Sequence, residues 1–270
     1  MPTPCIKIQT IGRVVLWIIS NPEAKNALAP TMYAQGLEAV RAFADDPNLG
    51  AAVLCGENGF FCAGGNLHRL QNNRELDRSV QDDSIQSLHH WVQAISDCSK
   101  PIIAAVDGAA AGAGFSLCLA ADMLVASRTA KFVMAYVNVG LTPDGGASWV
   151  LPKKVSANIA FEWMALGQPI MAQRLVDCGL VNLLTDAPSD PCDSNQTPAV
   201  LAAIEFAQRL SEGPSQAIAS IKQLIKSSGT NSLAQHLDLE RASFVEQLHS
   251  TEGGIGITAF LAKTKAKFHP

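Results

Sequence analysis

Two short apolar runs, each opening into a loop of small residues, constrain this chain more than any other feature of its 270 residues. The first is Ala51 to Cys55, with Phe61-Cys62-Ala63-Gly64-Gly65-Asn66-Leu67 shortly after it. The second is Pro101 to Val106, which runs into Asp107-Gly108-Ala109-Ala110-Ala111-Gly112-Ala113-Gly114 and then a helix around Phe115 to Ala121. Runs this short and this apolar read as buried strands, and a buried strand needs further layers to cover it.

The flanking sequence supplies those layers. Ile6 to Gln9 and Arg13 to Ser20 read as strands around a turn at Gly12, from their β-branched content. Pro30 opens a helix through Asp45, with Met32, Leu37, Val40 and Phe43 near helical spacing. The polar stretch from Arg69 to Asp83 reads as a mobile surface segment, and a helix follows over Ser84 to Cys98. Met123 to Ser127, Lys131 to Met134 and Leu180 to Leu184 read as further strands. Residues 187 to 198 (APSDPCDSNQTP) read as a linker, from their Pro, Ser and Asp content. Beyond them come helices at about Ala199–Ser211, Pro214–Ser227, Ser232–His249 and Gly254–Lys265. The early β-β-α rhythm predicts an α/β layer core over 1–197 and an all-helical region over 198–270.

Composition removes several function classes. With 20 basic and 24 acidic residues and a net charge of -4, nothing is basic enough to neutralise a row of phosphates, so no nucleic-acid partner is expected. The longest apolar stretches, such as Val14 to Ile19 and Ile102 to Val106, fall far below the ~20 residues that span a bilayer, so no membrane partner is expected either. The N-terminal MPTPCIKIQT lacks a basic region followed by a long apolar run, and the seven scattered cysteines form no C-x-x-C pair. Both features fit a cytoplasmic protein with reduced thiols. The one histidine pair, His89-His90, would point about 100° apart on a helix, so no metal site is expected. Charged residues are 16% of the chain, against roughly 25% in an average globular protein. Either the core is large or much of the surface is covered by other subunits.

Three segments can carry chemistry. Small residues let a ligand approach the backbone, and the first N–H groups of a helix have no internal partner. Two such loops could each give one N–H to a single oxygen, forming an oxyanion hole; equally, both could be tight turns that let strand and helix pack closely. Gly112-x-Gly114 also resembles the start of a dinucleotide-binding turn, but Leu117 stands where its third glycine belongs. The third segment is Val139 to Trp149, where Asp144 is the single charge between Lys131 and Lys153, preceded by Pro143 and followed by Gly145 and Gly146. Desolvation would raise its pKa and suit it to proton transfer. The alternative is an N-cap for a helix beginning near Ala147.

In this order the segments resemble the crotonase (enoyl-CoA hydratase/isomerase) superfamily. Ile19-Ser20-Asn21-Pro22-Glu23-Ala24-Lys25-Asn26-Ala27-Leu28, Phe61 to Leu67, Pro101 to Asp122, Val139 to Pro152 and the tail from Ser232 to Lys263 match that family's ordered motifs. The resemblance implies a spiral of ββα units with a helical C-terminal trimerisation region, giving a homotrimer or dimer of trimers. It implies an acyl-CoA thioester as substrate, an enolate held in an oxyanion hole, and no cofactor apart from the substrate's own CoA. Carried over by position, the oxyanion N–H groups fall on Gly65 and Ala113. CoA contacts fall on Lys25, Ala63, Asn66, Phe260 and Lys263, the last two from the C-terminal helix of the same or a neighbouring subunit. Ser116 and Tyr136 stand where hydratases carry catalytic glutamates, which argues against ordinary hydration. Asp144 stands where the 1,2-epoxyphenylacetyl-CoA isomerases and related enoyl-CoA isomerases carry their acid, and those are the most similar branch. Asn66 replaces the usual aspartate of the first loop. The expected activity is therefore isomerisation, with a silent acyl-CoA-binding paralogue, or a dehalogenase using Asp144 as nucleophile, as alternatives.

Overall fold

The structure, a computed structural model, describes residues 3–187 and 197–269. Residues 188–196 of the expected linker lie outside the described residues. Strands β1 (Cys5–Ile11) and β2 (Val14–Ser20) form an antiparallel hairpin around the Gly12 turn. All seven residues of β2 are buried, which places this strand inside a sheet and not at its edge. Helix α1 (Pro30–Asp45) then leads to β3 (Ala51–Gly56), which pairs parallel with β2.

The segment expected to be mobile is instead helical: α2 spans Leu67–Asn73 and α3 spans Arg78–Asp97. The physical reason is capping. The Asn66 side chain accepts from the Arg69 N–H at 3.0 Å, and the Asp77 side chain accepts from the Ser79 N–H at 2.9 Å. Each satisfies a backbone donor that an uncapped helix would leave to water. Polar side chains then tie the two helices together, Asn73 to Gln81 at 2.7 Å and Arg69 to Ser84 at 3.0 Å.

Strand β4 (Ile102–Val106) is followed by β5 (Ala109–Ala111), a strand inside what reads in sequence as a loop, and then by α4 (Ala113–Ala120). After β6 (Met123–Ser127) and β7 (Lys131–Val133) come α5 (Ala147–Lys154), α6 (Ala157–Leu166), β8 (Ile170–Met171), α7 (Ala172–Asp177) and β9 (Leu183–Thr185). The main sheet has the order β1-β2-β3-β4-β6-β9, and β5-β7-β8 form a second, smaller sheet. β3, β4, β6 and β9 run parallel, so the chain must cross over after each, and helices occupy those crossovers.

The sheet is covered on both faces. On one, Trp17 meets Phe43 edge-on at 5.5 Å between centroids, within a core that includes Leu54, Trp91, Ile95 and Phe115. On the other, Leu16, Val53, Ile103 and Val125 pack against Val200, Ala203 and Ala207 of α8 (Pro198–Ser211). Helix α8, which in sequence groups with the helical region, thus closes the sheet. The helices that follow, α9 (Ser215–Ser228), α10 (Leu233–Leu248) and α11 (Thr251–Leu261), bury no residue within the chain. No helix among the described residues is long and apolar enough to cross a membrane.

Candidate active site

The two small-residue loops meet. The Cys62 N–H donates to Ala109 O at 3.0 Å, and the Ala111 N–H donates back to Cys62 O at 2.9 Å. The first loop is also tied to the family-like N-terminal segment, through Leu28 N–H to Gly64 O at 2.8 Å and Ala63 N–H to Lys25 O at 3.0 Å. This contact requires glycine. Gly64 has φ +88, and a Cβ there would lie 2.6 Å from Ala111 O and 3.4 Å from Ala113 N. A Cβ on Gly114 would lie 2.7 Å from Cys62 O. Close packing therefore accounts for Gly64 and Gly114, as one reading of the loops expected.

Close packing does not account for the donors left over. Ala113 is the first residue of α4, so its N–H has no partner in the helix. The Gly65 N–H meets no acceptor among the described residues. Both N–H groups sit on loops that touch each other, and one of them lies at the positive end of a helix.

Asp144 is not an N-cap. The helix α5 is entered through Gly146, in the left-handed conformation at φ 80, with no side-chain cap. The carboxylate instead accepts from the Tyr136 hydroxyl at 2.5 Å. Ser116 lies behind this pair, its Oγ donating to the Asp144 carbonyl at 2.9 Å and lying 3.2 Å from the Tyr136 hydroxyl. Tyr136 also reaches the second loop, since a Cβ on Gly112 would meet its ring at 3.8 Å. One tyrosine thus spans from the residue before Ala113 to the Asp144 carboxylate. Burial pushes the Asp144 carboxyl above the usual carboxylate range, while the Tyr136 hydrogen bond and the nearby His89 pull it back down. Burial and the adjacent Asp144 keep Tyr136 protonated far above neutral pH.

Of the other sequence-predicted residues, Ala63 and Asn66 lie on the first loop, where the Asn66 side chain is committed to capping α2. Lys25 adopts φ 50, with its ammonium 5.9 Å from the Phe60 ring centroid. Phe260 lies in the last turn of α11, which packs against α10, and Lys263 two residues beyond that helix; Phe260 is 84% exposed, and the single chain does not bring either to the loops through any hydrogen bond or ring contact. Sequence reading missed Tyr136 and Ser116 as partners of Asp144, and missed Tyr33 and Arg69 nearby. Tyr33 is 3% exposed, and the charges of both Arg69 and Asp144 act on its hydroxyl. Among the described residues no three His, Cys, Asp or Glu side chains gather as a metal ion would need, and the six described cysteines are unpaired.

A parallel-sheet α/β protein with two touching small-residue loops and one half-buried carboxylate is the class that fold and site define. The sequence model for Enoyl-CoA hydratase/isomerase matches residues 10–270. The chain is 33% identical over 260 residues to 1,2-epoxyphenylacetyl-CoA isomerase of Escherichia coli (strain K12), covering 94% of each. It is 30% identical over 263 residues to the mitochondrial enoyl-CoA hydratase of Pongo abelii, covering 97% of this chain and 84% of that one. Among solved structures, an enoyl-CoA hydratase from Polaromonas sp. JS666 superposes with TM-score 0.93 at 45% identity, covering 98% of this chain and all (100%) of the other. The chain belongs to the enoyl-CoA hydratase/isomerase family, within the crotonase superfamily.

Proposed function

We propose that this family member is an acyl-CoA isomerase in which Asp144 carries a proton between carbons of the acyl group. The observation that carries the reading is the Asp144 carboxylate, half-buried, held by Tyr136 at 2.5 Å, one tyrosine ring away from the loop that presents the Ala113 N–H. The thioester oxygen accepts from the Gly65 and Ala113 N–H groups, which stabilises negative charge on that oxygen and acidifies the α-carbon. With a 3-enoyl thioester, ionised Asp144 takes the C2 proton, the electron pair delocalises as a dienolate, and the same proton returns to C4. Bonds and charge balance with no external oxidant, reductant or metal. Lys25, Ala63 and Asn66 flank the CoA moiety, while Phe260 and Lys263 reach it from α11 of a neighbouring copy in a trimer or dimer of trimers.

Each oxyanion donor contributes ~10²–10³ in rate, and a positioned base ~10²–10⁴. Hydration is disfavoured because Ser116 and Tyr136, which stand at the hydratase glutamate positions, offer no second carboxylate. Asp144→Asn is expected to lower isomerisation of a 3-enoyl-CoA by ~10²–10⁴ while CoA-ester binding stays nearly intact. Spectrophotometric turnover and calorimetric binding check both halves, and unchanged turnover overturns the assignment.

A further inference from the structure

Arg69 is a half-buried cation with no carboxylate partner. Its Nη1 donates to Ser84 Oγ at 3.0 Å and its Nη2 to the Tyr33 hydroxyl at 3.4 Å. Its Nε is buried and has no partner at all. The six ion pairs among the described residues leave Arg69 out. Removing a guanidinium from water without an anion is unfavourable, and an unmet buried N–H adds to that. Such an arrangement persists in proteins where the missing anion arrives with a ligand.

Its placement says which ligand. Arg69 lies in the first turn of α2, four residues beyond Gly65, and α2 walls that loop: a Cβ on Gly65 would meet Leu70 Cδ1 at 3.8 Å. Tyr33, which accepts from Arg69 at 3.4 Å, also feels the Asp144 charge. Arg69 is not the counter-ion of Asp144, whose carboxyl is acted on instead by the Tyr136 hydrogen bond and by His89. An acyl chain whose thioester oxygen is held by Gly65 and Ala113 and that runs past Asp144 would bring its far end toward Tyr33 and Arg69. A plain alkyl end there would strip water from the guanidinium and give nothing back. A carboxylate would match its planar fork.

We infer that the preferred substrates are acyl-CoA thioesters whose acyl chain ends in a carboxylate, recognised by Arg69 with Tyr33 as neutral donor. This rests on the acyl-CoA reading of the site and adds the acyl class. The experiment measures calorimetric binding of two saturated esters that undergo no turnover, hexanoyl-CoA and its ω-carboxylated counterpart adipyl-CoA. Wild type is expected to bind adipyl-CoA ~10–100-fold more tightly, the range for a charge-assisted hydrogen-bonded contact. Arg69→Met is expected to abolish that preference, by weakening adipyl-CoA and leaving hexanoyl-CoA bound as tightly as before or more so. Arg69→Lys, which keeps the charge and loses the fork, is expected to retain only part of it, and it carries the test if the methionine variant does not fold. Equal affinities in wild type overturn the inference and leave the acyl-CoA reading standing; failure of both esters to bind overturns both. A preference that survives unchanged in the Arg69 variants overturns the role of Arg69.

Discussion

Tyr136 can be tested by deleting one oxygen. Its ring rests against the Gly112 turn while its hydroxyl donates to Asp144, so Tyr136→Phe keeps the packing and removes only the donated hydrogen bond. Burial already holds the Asp144 carboxyl above the usual range, and the tyrosine bond opposes that shift. Without it, the carboxyl titrates at still higher pH. The ionised form is the base, so activity falls as pH drops through that pKa, and a higher pKa moves the acid limb of kcat/KM to higher pH. Tyr136→Phe is therefore expected to shift the limb upward and to lower the plateau by about tenfold, the scale of one hydrogen bond to a charged group. A pH profile from single-substrate kinetics checks it, and an unshifted or downward-shifted limb contradicts the pairing. Asp144 itself was legible in the sequence, as the single charge in a long neutral stretch. Its partners were not, because Ser116 and Tyr136 lie 28 and 8 residues away and only the fold joins them. The resemblance to the family reads those two positions only as missing glutamates; the geometry makes them the partners of the Asp144 carboxylate.

Helix α8 is anchored by a buried carboxylate. Asp107, at the end of β4 and 4% exposed, accepts from the Thr197 hydroxyl at 2.6 Å, and Thr197 Oγ1 also accepts from the Val200 N–H at 3.3 Å as the cap of α8. Burial raises the Asp107 carboxyl above its ordinary range, with the Thr197 hydroxyl opposing that. A raised folded-state pKa means that ionised Asp107 lowers stability near neutral pH, and that this penalty disappears as pH falls below the unfolded carboxylate range. Asp107→Asn keeps an acceptor for Thr197 and carries no charge, so it is expected to stabilise the fold at pH 7 and to lose that advantage in acid. Urea denaturation at several pH values checks it; lower stability at pH 7 would show the charge to be structurally required. The same elements show what local pattern can and cannot reveal. The buried strands, α1 and the tail helices were readable from apolar runs and helical spacing. Strand β5 was not, since three alanines carry no β signal and become a strand only by pairing with β7. Helix α2 was hidden for the opposite reason: its polar surface reads as loop until the Asn66 cap and the ties to α3 are seen.

At the scale of the whole molecule, the low charge fraction meets the exposed tail. Helices α9 to α11 bury nothing within the chain, yet Ile225, Leu233, Phe244, Phe260 and Leu261 are 70% to 84% exposed. A second apolar group lies on α5 and α6, where Trp149 and Phe161 are 61% and 73% exposed. Single exposed apolar residues are ordinary, but contiguous ones mark interaction surfaces, and two separate groups on one chain suit a head-to-tail ring in which each copy covers its neighbour. Closure of such a ring would bury apolar surface that a monomer must leave in water, at roughly 25 cal/mol per Å², and would bring Phe260 and Lys263 of one copy toward the loops of the next. Light scattering coupled to gel filtration is expected to give three or six copies of the 28.6 kDa chain at micromolar concentration. Phe260→Glu, which places a charge at the most exposed apolar side chain of the tail, is expected to shift the population toward smaller species and to weaken CoA-ester binding with it. Dissociation without any change in ester affinity would separate assembly from the site, and a monomeric wild type would leave the tail's apolar face, and the 16% charge, without this explanation.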